Sequence, residues 1–174
     1  MKKIILILSI IFNAYLIEAQ TNFDKFEKDE KVNSVIVNKK MFDLIGKVKV
    51  DAVDTETQNY LTLIKKLDYL RVFSSKDVKS SASLLATADA YLKQNPLDEL
   101  MRSLENGKSV KIFVKTTGTD DVLSELLMLI EDQGQEKQVT VMSLLGKFTL
   151  NELTILTDKM KLPGSEAIKN AAKK

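Results

Sequence analysis

Residues 108–145, KSVKIFVKTTGTDDVLSELLMLIEDQGQEKQVTVMSLL, hold three apolar segments that are separated only by short turns. The first segment, Lys108–Thr116, alternates valine and isoleucine with lysine, as a strand with one buried face does. Gly118 follows it as a turn residue. A parallel neighbour would need a crossover of a dozen residues or more. Strands that follow one another this closely must therefore pair antiparallel.

The middle segment, Val122–Glu131, fits the stripe of an amphipathic helix about as well as it fits a fully buried strand. The next segment, Gln138–Leu145, is rich in β-branched residues and favours an extended conformation. Gln133-Gly134 supplies a turn between the two segments. We therefore predict that both are strands and that they form a hairpin.

Upstream of this stretch, apolar and β-branched runs predict two further strands, Val32–Val37 and Leu70–Phe73. Residues 47–53, KVKVDAV, fit either a short edge strand or an extended linker. The helices are predicted from capping residues and apolar spacing, and they cover residues 23–29, 38–46, 55–67, 77–94, 97–107 and 149–162.

Two of these helices carry specific expectations. Pro96 suits the first helical position, and Leu97, Leu100, Met101 and Leu104 then recur at helical spacing until Gly107. In the helix from Asp77 to Gln94, which Ser74 or Ser75 could cap, the residues expected to face the core are Val78, Ala82, Leu85 and Leu92.

Together these elements predict an α+β fold with a mixed or largely antiparallel sheet of about five strands and helices packed on one face. Residues 20–164 are long enough for a single domain, and no linker in them is long enough to separate two. The lysine- and alanine-rich residues 165–174 are expected to form a flexible tail.

Residues 1–19, MKKIILILSIIFNAYLIEA, have the pattern of a signal peptide, in which two lysines precede an apolar run and Ala19 offers a cleavage site. The apolar run from Ile4 to Ile17 is short for a membrane span, which needs about 20 residues. We expect an exported protein, periplasmic or extracellular, that is soluble and has no membrane span after cleavage. The alternative is retention of this segment as an anchor.

Composition excludes several classes of function. The chain has no histidine and no cysteine, so it lacks the commonest general base, the usual zinc ligands and the thiol nucleophile. Without Lys2, Lys3 and Glu18 of the predicted signal, 24 basic and 23 acidic side chains remain. This near-neutral balance does not favour a nucleic-acid partner, which would need a strongly basic surface.

Five segments carry a resemblance to a known family: FDKFEKDEKVNSVIVNKKMFDLIG, LDYLRVFSS, ENGKSVKIFVKTTG, ELLMLIED and MSLLGKFTLNEL. In this order, behind a signal peptide, they resemble the small exported bacterial proteins grouped as domain of unknown function family 4252. The resemblance implies an envelope protein of Gram-negative bacteria with no established activity. It supplies no catalytic residues.

The candidate sites in the sequence are few. Two acidic clusters, one at Asp51, Asp54 and Glu56 and the other at Asp120, Asp121 and Glu125, could bind a cation, but neither has the loop that wraps one. Solvated turns and helix starts are the plainer interpretation, so no metal, cofactor or catalytic residue is predicted. Lys111, Phe113 and Lys115 would share one face of a strand and are the candidate interaction surface. Alternatively, a neighbouring helix covers the phenylalanine.

Three classes of function remain. The first is a non-catalytic exported binding or interaction domain, such as an accessory to an envelope complex or to a stress-sensing system, with another envelope protein as its partner. The second is a carrier of a small apolar ligand, which would require an apolar cavity of ~300 Å³ or more. The third is an enzyme that uses carboxylate or lysine chemistry, with a strongly perturbed ionisable group in a cleft.

Overall fold

The computed structural model describes residues 23–48, 55–118, 121–134 and 137–172, so the predicted signal peptide lies outside the described residues. One open antiparallel sheet has the strand order β1-β2-β6-β5-β4-β3. Its six strands are β1 (Asn33–Asn38), β2 (Leu67–Ser75), β3 (Asp98–Glu105), β4 (Lys108–Thr116), β5 (Leu123–Asp132) and β6 (Gln138–Phe148). The predicted α+β class and antiparallel pairing are confirmed.

A short 3₁₀ turn at Asp24–Lys28 precedes the sheet, and five α-helices accompany it. The helices are α1 (Lys39–Ile45), α2 (Thr55–Lys66), α3 (Val78–Gln94), α4 (Leu150–Met160) and α5 (Ser165–Ala172). Asn38 caps α1, and Thr149 with Glu152 forms the predicted capping box of α4. The cap of α3 is Asp77, whose side chain accepts a hydrogen bond from the Ser80 amide, and not Ser74 or Ser75.

The predicted hairpin of the ambiguous middle segment is confirmed. β5 pairs with β6 along its whole length, with Met128 opposite Met142 at the centre. Most of β5 is buried on both faces, because helices or turns cover both sides of the sheet there. A strand buried on both faces loses its alternation of polar and apolar residues, which explains why its periodicity resembled that of a helix.

The helix predicted at residues 97–107 is wrong, because Asp98–Glu105 forms the edge strand β3. Asn106 and Gly107 adopt φ angles of 51° and 77° and connect β3 to β4 as a tight hairpin turn. Asn-Gly is the strongest short-range hairpin signal, because both residues tolerate positive φ. The hairpin therefore overrides the helical spacing of the leucines, and Gly107 acts as a turn residue and not as a helix end.

The sheet has two covered faces. On the first face, α1, α2, α4 and α5 enclose the larger core. On the second face, α3 and the 3₁₀ turn enclose a smaller one, so the prediction of helices on a single face is corrected. The prediction of which side of α3 is buried is also wrong, since Val78 is exposed. The buried residues of α3 are Ser80, Leu84, Thr87, Ala88 and Tyr91.

The flexible tail predicted from residue 165 is instead the helix α5. Ile168 is fully buried in the first-face core, and Ala171 is buried beside it. Gly164, with φ of 78°, turns the chain from α4 into α5 against the side chain of Met128. Burial of Ile168 and Ala171 packs this helix against the core, although the segment is otherwise polar or small.

Candidate functional site

The second face of the sheet contains a polar cluster centred on Arg71 of β2. Side chains alternate along this strand, so Leu70 and Val72 enter the first-face core while Arg71 points to the second face with Phe73. Arg71 is only 7% exposed. Its Nη1 lies 3.1 Å from Oδ1 of Asp24, and its guanidinium carbon lies 4.4 Å from the centre of the Tyr69 ring.

Arg71 and Tyr69 line an open depression of about 550 Å³ between β2 and the 3₁₀ turn. The other lining residues, all from the turn, are Asp24, Lys25, Glu27 and Lys28. The lining of the depression thus carries three cationic side chains and two carboxylates. We call it the Arg71 depression. An arginine among apolar residues of a strand, as in LDYLRVF, was the sequence signal for this site, which was not predicted.

Beside Arg71, the second face buries a tyrosine–carboxylate pair. The Tyr91 hydroxyl of α3 donates a short hydrogen bond to Oε1 of Glu125 on β5. Burial, followed by the hydrogen bond to Glu125, raises the pKa of Tyr91, while the charge of Arg71 acts in the opposite direction. Burial also raises the pKa of the Glu125 carboxyl, against the hydrogen bond from Tyr91 and the charge of Lys115. Burial therefore favours the protonated form of both groups.

Replacing Glu125 by glutamine should make stability less dependent on pH. Folding favours the protonated carboxyl, so its contribution is present below its unfolded pKa and is lost as pH rises through the raised folded pKa. The glutamine side chain does not titrate, and its carbonyl oxygen can still accept the hydrogen bond from the Tyr91 hydroxyl. From pH 4 to pH 8, the variant should therefore gain stability relative to wild type, as measured by urea unfolding at each pH.

Glu99→Gln is the matched control for this titration. Glu99 is exposed on β3, and its hydrogen bond from Arg102 lowers the pKa of its carboxyl. The difference between that variant and wild type should therefore change with pH in the opposite direction. A Glu125→Gln difference that stays constant from pH 4 to pH 8 would contradict a raised pKa of the buried Glu125 carboxyl.

The structure places the three residues of the predicted interaction surface on the second face. Phe113 is half-buried and packs against the smaller core, so it does not present an exposed ring. Lys111 forms an ion pair with Glu131 at 3.7 Å. Lys115 is exposed and lies opposite Glu125 in the β4–β5 register. The ring of Phe113 is thus partly covered by the second-face core.

The acidic clusters noted in the sequence are only partly described. Asp51, Asp54 and Asp120 lie outside the described residues. Glu56 pairs with Lys159 at 3.0 Å, and Glu125 is engaged by Tyr91. Within the described ranges, no group of three or more acidic side chains is placed to hold a metal ion.

The first edge of the sheet, β1, has the sequence NSVIVN and contains no charged residue and no proline. It pairs with β2 without a bulge from Asn33 to Asn38. Its side chains are exposed or half-buried along the whole strand. The opposite edge, β3, has four charged residues, and its pairing is irregular between Glu99 and Met101. Charges and bulges protect an edge strand from further pairing, so β3 is protected, whereas β1 has neither feature in the part of the chain that the structure describes.

Exposed apolar side chains concentrate next to β1. Among the described residues, seven large apolar side chains are exposed, and four of them lie within residues 35–48. These four are Val35 of β1, Met41 and Leu44 of α1, and Val48 just after α1. The last three follow one another at spacings of three and four residues. We call β1 together with these side chains the β1 edge surface.

Most of the residues that line two further depressions are polar or charged. One, of about 650 Å³, lies between the β3–β4 hairpin and the start of α5, and the other, of about 330 Å³, lies along α3 beside Lys25. The larger of the two includes Met101 and the core residue Val110 in its lining, but none of the three depressions is lined by leucine or isoleucine side chains. Among the described residues, no helix is long and apolar enough to cross a lipid bilayer.

Fold and surface together define an α+β protein with one open antiparallel sheet, an unprotected edge strand and an arginine-lined depression. Residues 26–156 match the model of the family described as Domain of unknown function (DUF4252), and the chain belongs to this family. The resemblance inferred from the sequence is thereby confirmed. The chain matches no curated protein and no solved structure.

Proposed function

We propose that the protein is a non-catalytic binding domain that acts outside the cytoplasm and binds an extended segment of a partner protein as a seventh strand. The single observation that carries the proposal is the unprotected edge strand β1, flanked by most of the exposed apolar side chains of the described residues. The export pattern of residues 1–19 supports the location.

Strand addition requires backbone groups that a partner can reach. An edge strand carries a row of unpaired N–H and C=O groups on its outer side, and these groups supply the affinity of strand addition. In β1 the regular pairing to β2 keeps this row straight over six residues. Valine and isoleucine at its centre also favour the extended conformation that an added strand must continue.

The side chains beside β1 would select the partner sequence. Val35 is 52% exposed on the first-face side of β1, and the exposed apolar side chains of α1 lie close along the chain. An added strand places alternate residues on this side of the sheet. We therefore expect a partner segment with apolar residues at every second position. This chemistry distinguishes a strand partner from a charged ligand.

No observation on the described residues favours the carrier of an apolar ligand, since the three depressions named above have mainly polar linings. Burial raises the pKa values of Tyr91 and Glu125, which would suit an enzyme only if they faced a cleft. Neither residue lines one of those depressions. Such a pair serves to satisfy buried polar groups. The binding domain is thus the function that the geometry supports best.

Photo-crosslinking at β1 tests this proposal. A photoreactive residue at the exposed position 34 should give one discrete adduct with a second protein in the native host. Adding Val35→Lys should weaken the adduct at least about tenfold, because a lysine on an edge strand opposes pairing. The partner identified by mass spectrometry should then bind the purified chain with the same dependence on Val35.

Leu104→Lys is the matched control on the protected edge. Leu104 is 77% exposed on β3, so this variant introduces the same charge at the other end of the sheet. It should leave the adduct unchanged, and both variants should keep wild-type stability within about 0.5 kcal/mol. No adduct, an adduct between two copies of this chain, or equal loss with both variants would overturn the proposal.

A further inference from the structure

We propose that the Arg71 depression is a binding site for a ligand that carries a carboxylate group, and that Asp24 occupies the carboxylate position when no ligand is bound. The site lies on the second face of the sheet, whereas Val35 of the β1 edge surface points to the first face. The inference therefore does not depend on the proposed strand addition.

The guanidinium of Arg71 is the reason to expect an anion. Removing an arginine charge from water is costly unless hydrogen bonds and an opposite charge compensate. Arg71 is nevertheless more than nine-tenths buried, with its head group at an open depression and against the Tyr69 ring. The planar guanidinium presents a fork of donors that matches a carboxylate in a bidentate arrangement. An incoming carboxylate would take the position that the Asp24 carboxylate holds at Nη1 of Arg71.

Asp24 has the properties of an exchangeable internal partner. Its side chain is 52% exposed, and one of its carboxylate oxygens lies 3.1 Å from Nη1 of Arg71. Water can therefore solvate the Asp24 carboxylate when it leaves Arg71, so the exchange leaves no buried carboxylate unpaired. Phe23 and Phe26, on either side of Asp24, are both buried in the second-face core. The turn can therefore stay in place while the carboxylate of Asp24 rotates into solvent.

The rest of the depression suits a small anion. Lys25 and Lys28 add two positive charges to its lining, against Glu27 and Asp24. Once Asp24 has turned away, the lining carries a clear excess of positive charge. Its volume of about 550 Å³ falls in the range of small-molecule sites. The Tyr69 ring provides an apolar surface for the carbon skeleton of such a ligand.

Titration with glutarate, a small dicarboxylate, tests the site. The chain contains only two arginines, Arg71 and Arg102, so its arginine Nε–H signals are simple to assign by NMR. Glutarate should shift the Arg71 signal and leave that of Arg102 unchanged. Asp24→Asn should tighten binding by about fivefold or more, because it removes the competing internal carboxylate.

Three matched controls make the result specific. Arg71→Gln should weaken glutarate binding at least about tenfold, whereas Arg102→Gln should not change it, because Arg102 is exposed on β3 and pairs with Glu99. Glutaramide, the neutral analogue, should not shift the Arg71 signal. Val35→Lys should bind glutarate like wild type, so failure of the strand proposal and failure of this one are distinguishable.

Circular dichroism would establish that the variants fold, and the Arg71 signal of wild type decides the question even if Arg71→Gln does not fold. Equal shifts at both arginines, a shift with glutaramide, or weaker binding by Asp24→Asn would each overturn the proposal. Inorganic phosphate should bind more weakly than glutarate, since the internal partner of Arg71 is a carboxylate. Stronger binding of phosphate would assign the site to a different ligand class and would also overturn it.

Discussion

Ile168→Ala is expected to lower the free energy of unfolding by about 3 kcal/mol, although the residue lies in a segment that looks like a flexible tail. Its side chain is 0% exposed and is enclosed in the first-face core. The loss combines the transfer of the missing carbons with the cavity that they leave. Urea unfolding followed by circular dichroism would measure it.

Asn170→Ala is the matched control in the same helix. Asn170 is exposed two residues along α5, so this change should stay within about 0.5 kcal/mol of wild type. If both variants unfold like wild type, α5 does not pack against the sheet, and residues 165–172 are the tail that their composition predicts. If only Ile168→Ala is destabilised, one buried side chain accounts for the position of the helix.

Gly146→Ala is expected to be the most disruptive single-methyl addition, with a cost of about 3 kcal/mol or more. A Cβ at this position would lie 2.6 Å from the carbonyl oxygen of Lys66 and 2.8 Å from Cα of Leu67. Both are backbone atoms at the point where α2 passes into β2 without a loop, so they cannot rotate away. The φ angle of 152° adds strain for any residue with a Cβ.

Gly118→Ala separates the steric term from the conformational one. Gly118 has φ of 88°, but a Cβ there would have no atom within 4 Å. Its replacement should therefore cost only about 1 kcal/mol, from positive φ alone. Thermal unfolding of both variants gives the comparison. Equal destabilisation would show that the backbone of Lys66 and Leu67 lies farther from Gly146 than it does in the structure.

The two proposed sites lie next to each other on the sheet. Ile36 of β1 is directly opposite Arg71 of β2, so the strand that would receive a partner also borders the Arg71 depression. The tested side chains lie on different faces of the sheet, Val35 on the first face and Arg71 on the second. A glutarate titration of the complex would show whether the neighbouring sites affect each other. Independent sites would give the same glutarate affinity with and without the partner.

Local signals predicted much of the fold. The alternation in β4, the Asn38 cap and the Thr149–Glu152 capping box each depend on residues close together in the chain, and each is present in the structure. The error at residues 97–107 has a local cause as well. The Asn106-Gly107 turn favours a hairpin, and the leucine spacing favours a helix. The turn prevails because pairing with β4 satisfies the backbone groups of β3 along its length.

The candidate sites were less accessible from the sequence. Lys111, Phe113 and Lys115 alternate with buried residues, which placed them on one face, but the cover of Phe113 comes from elements distant in sequence. Arg71 and Asp24 are 47 positions apart, and Tyr91 and Glu125 are 34 apart. No local pattern records such pairs. They exist only because the 3₁₀ turn and α3 pack on the second face.

By itself, the sequence determined the α+β class and the antiparallel hairpins, since these depend on periodicity and turn chemistry within short windows. Membership of the family also came from the sequence, through the resemblance of whole segments. Only the tertiary structure decided which side of α3 is buried, whether residues 165–172 fold, and where the charge of Arg71 lies. The physical reason is that burial belongs to the assembled layers. A helix with weak apolar asymmetry takes its orientation from the sheet against which it packs.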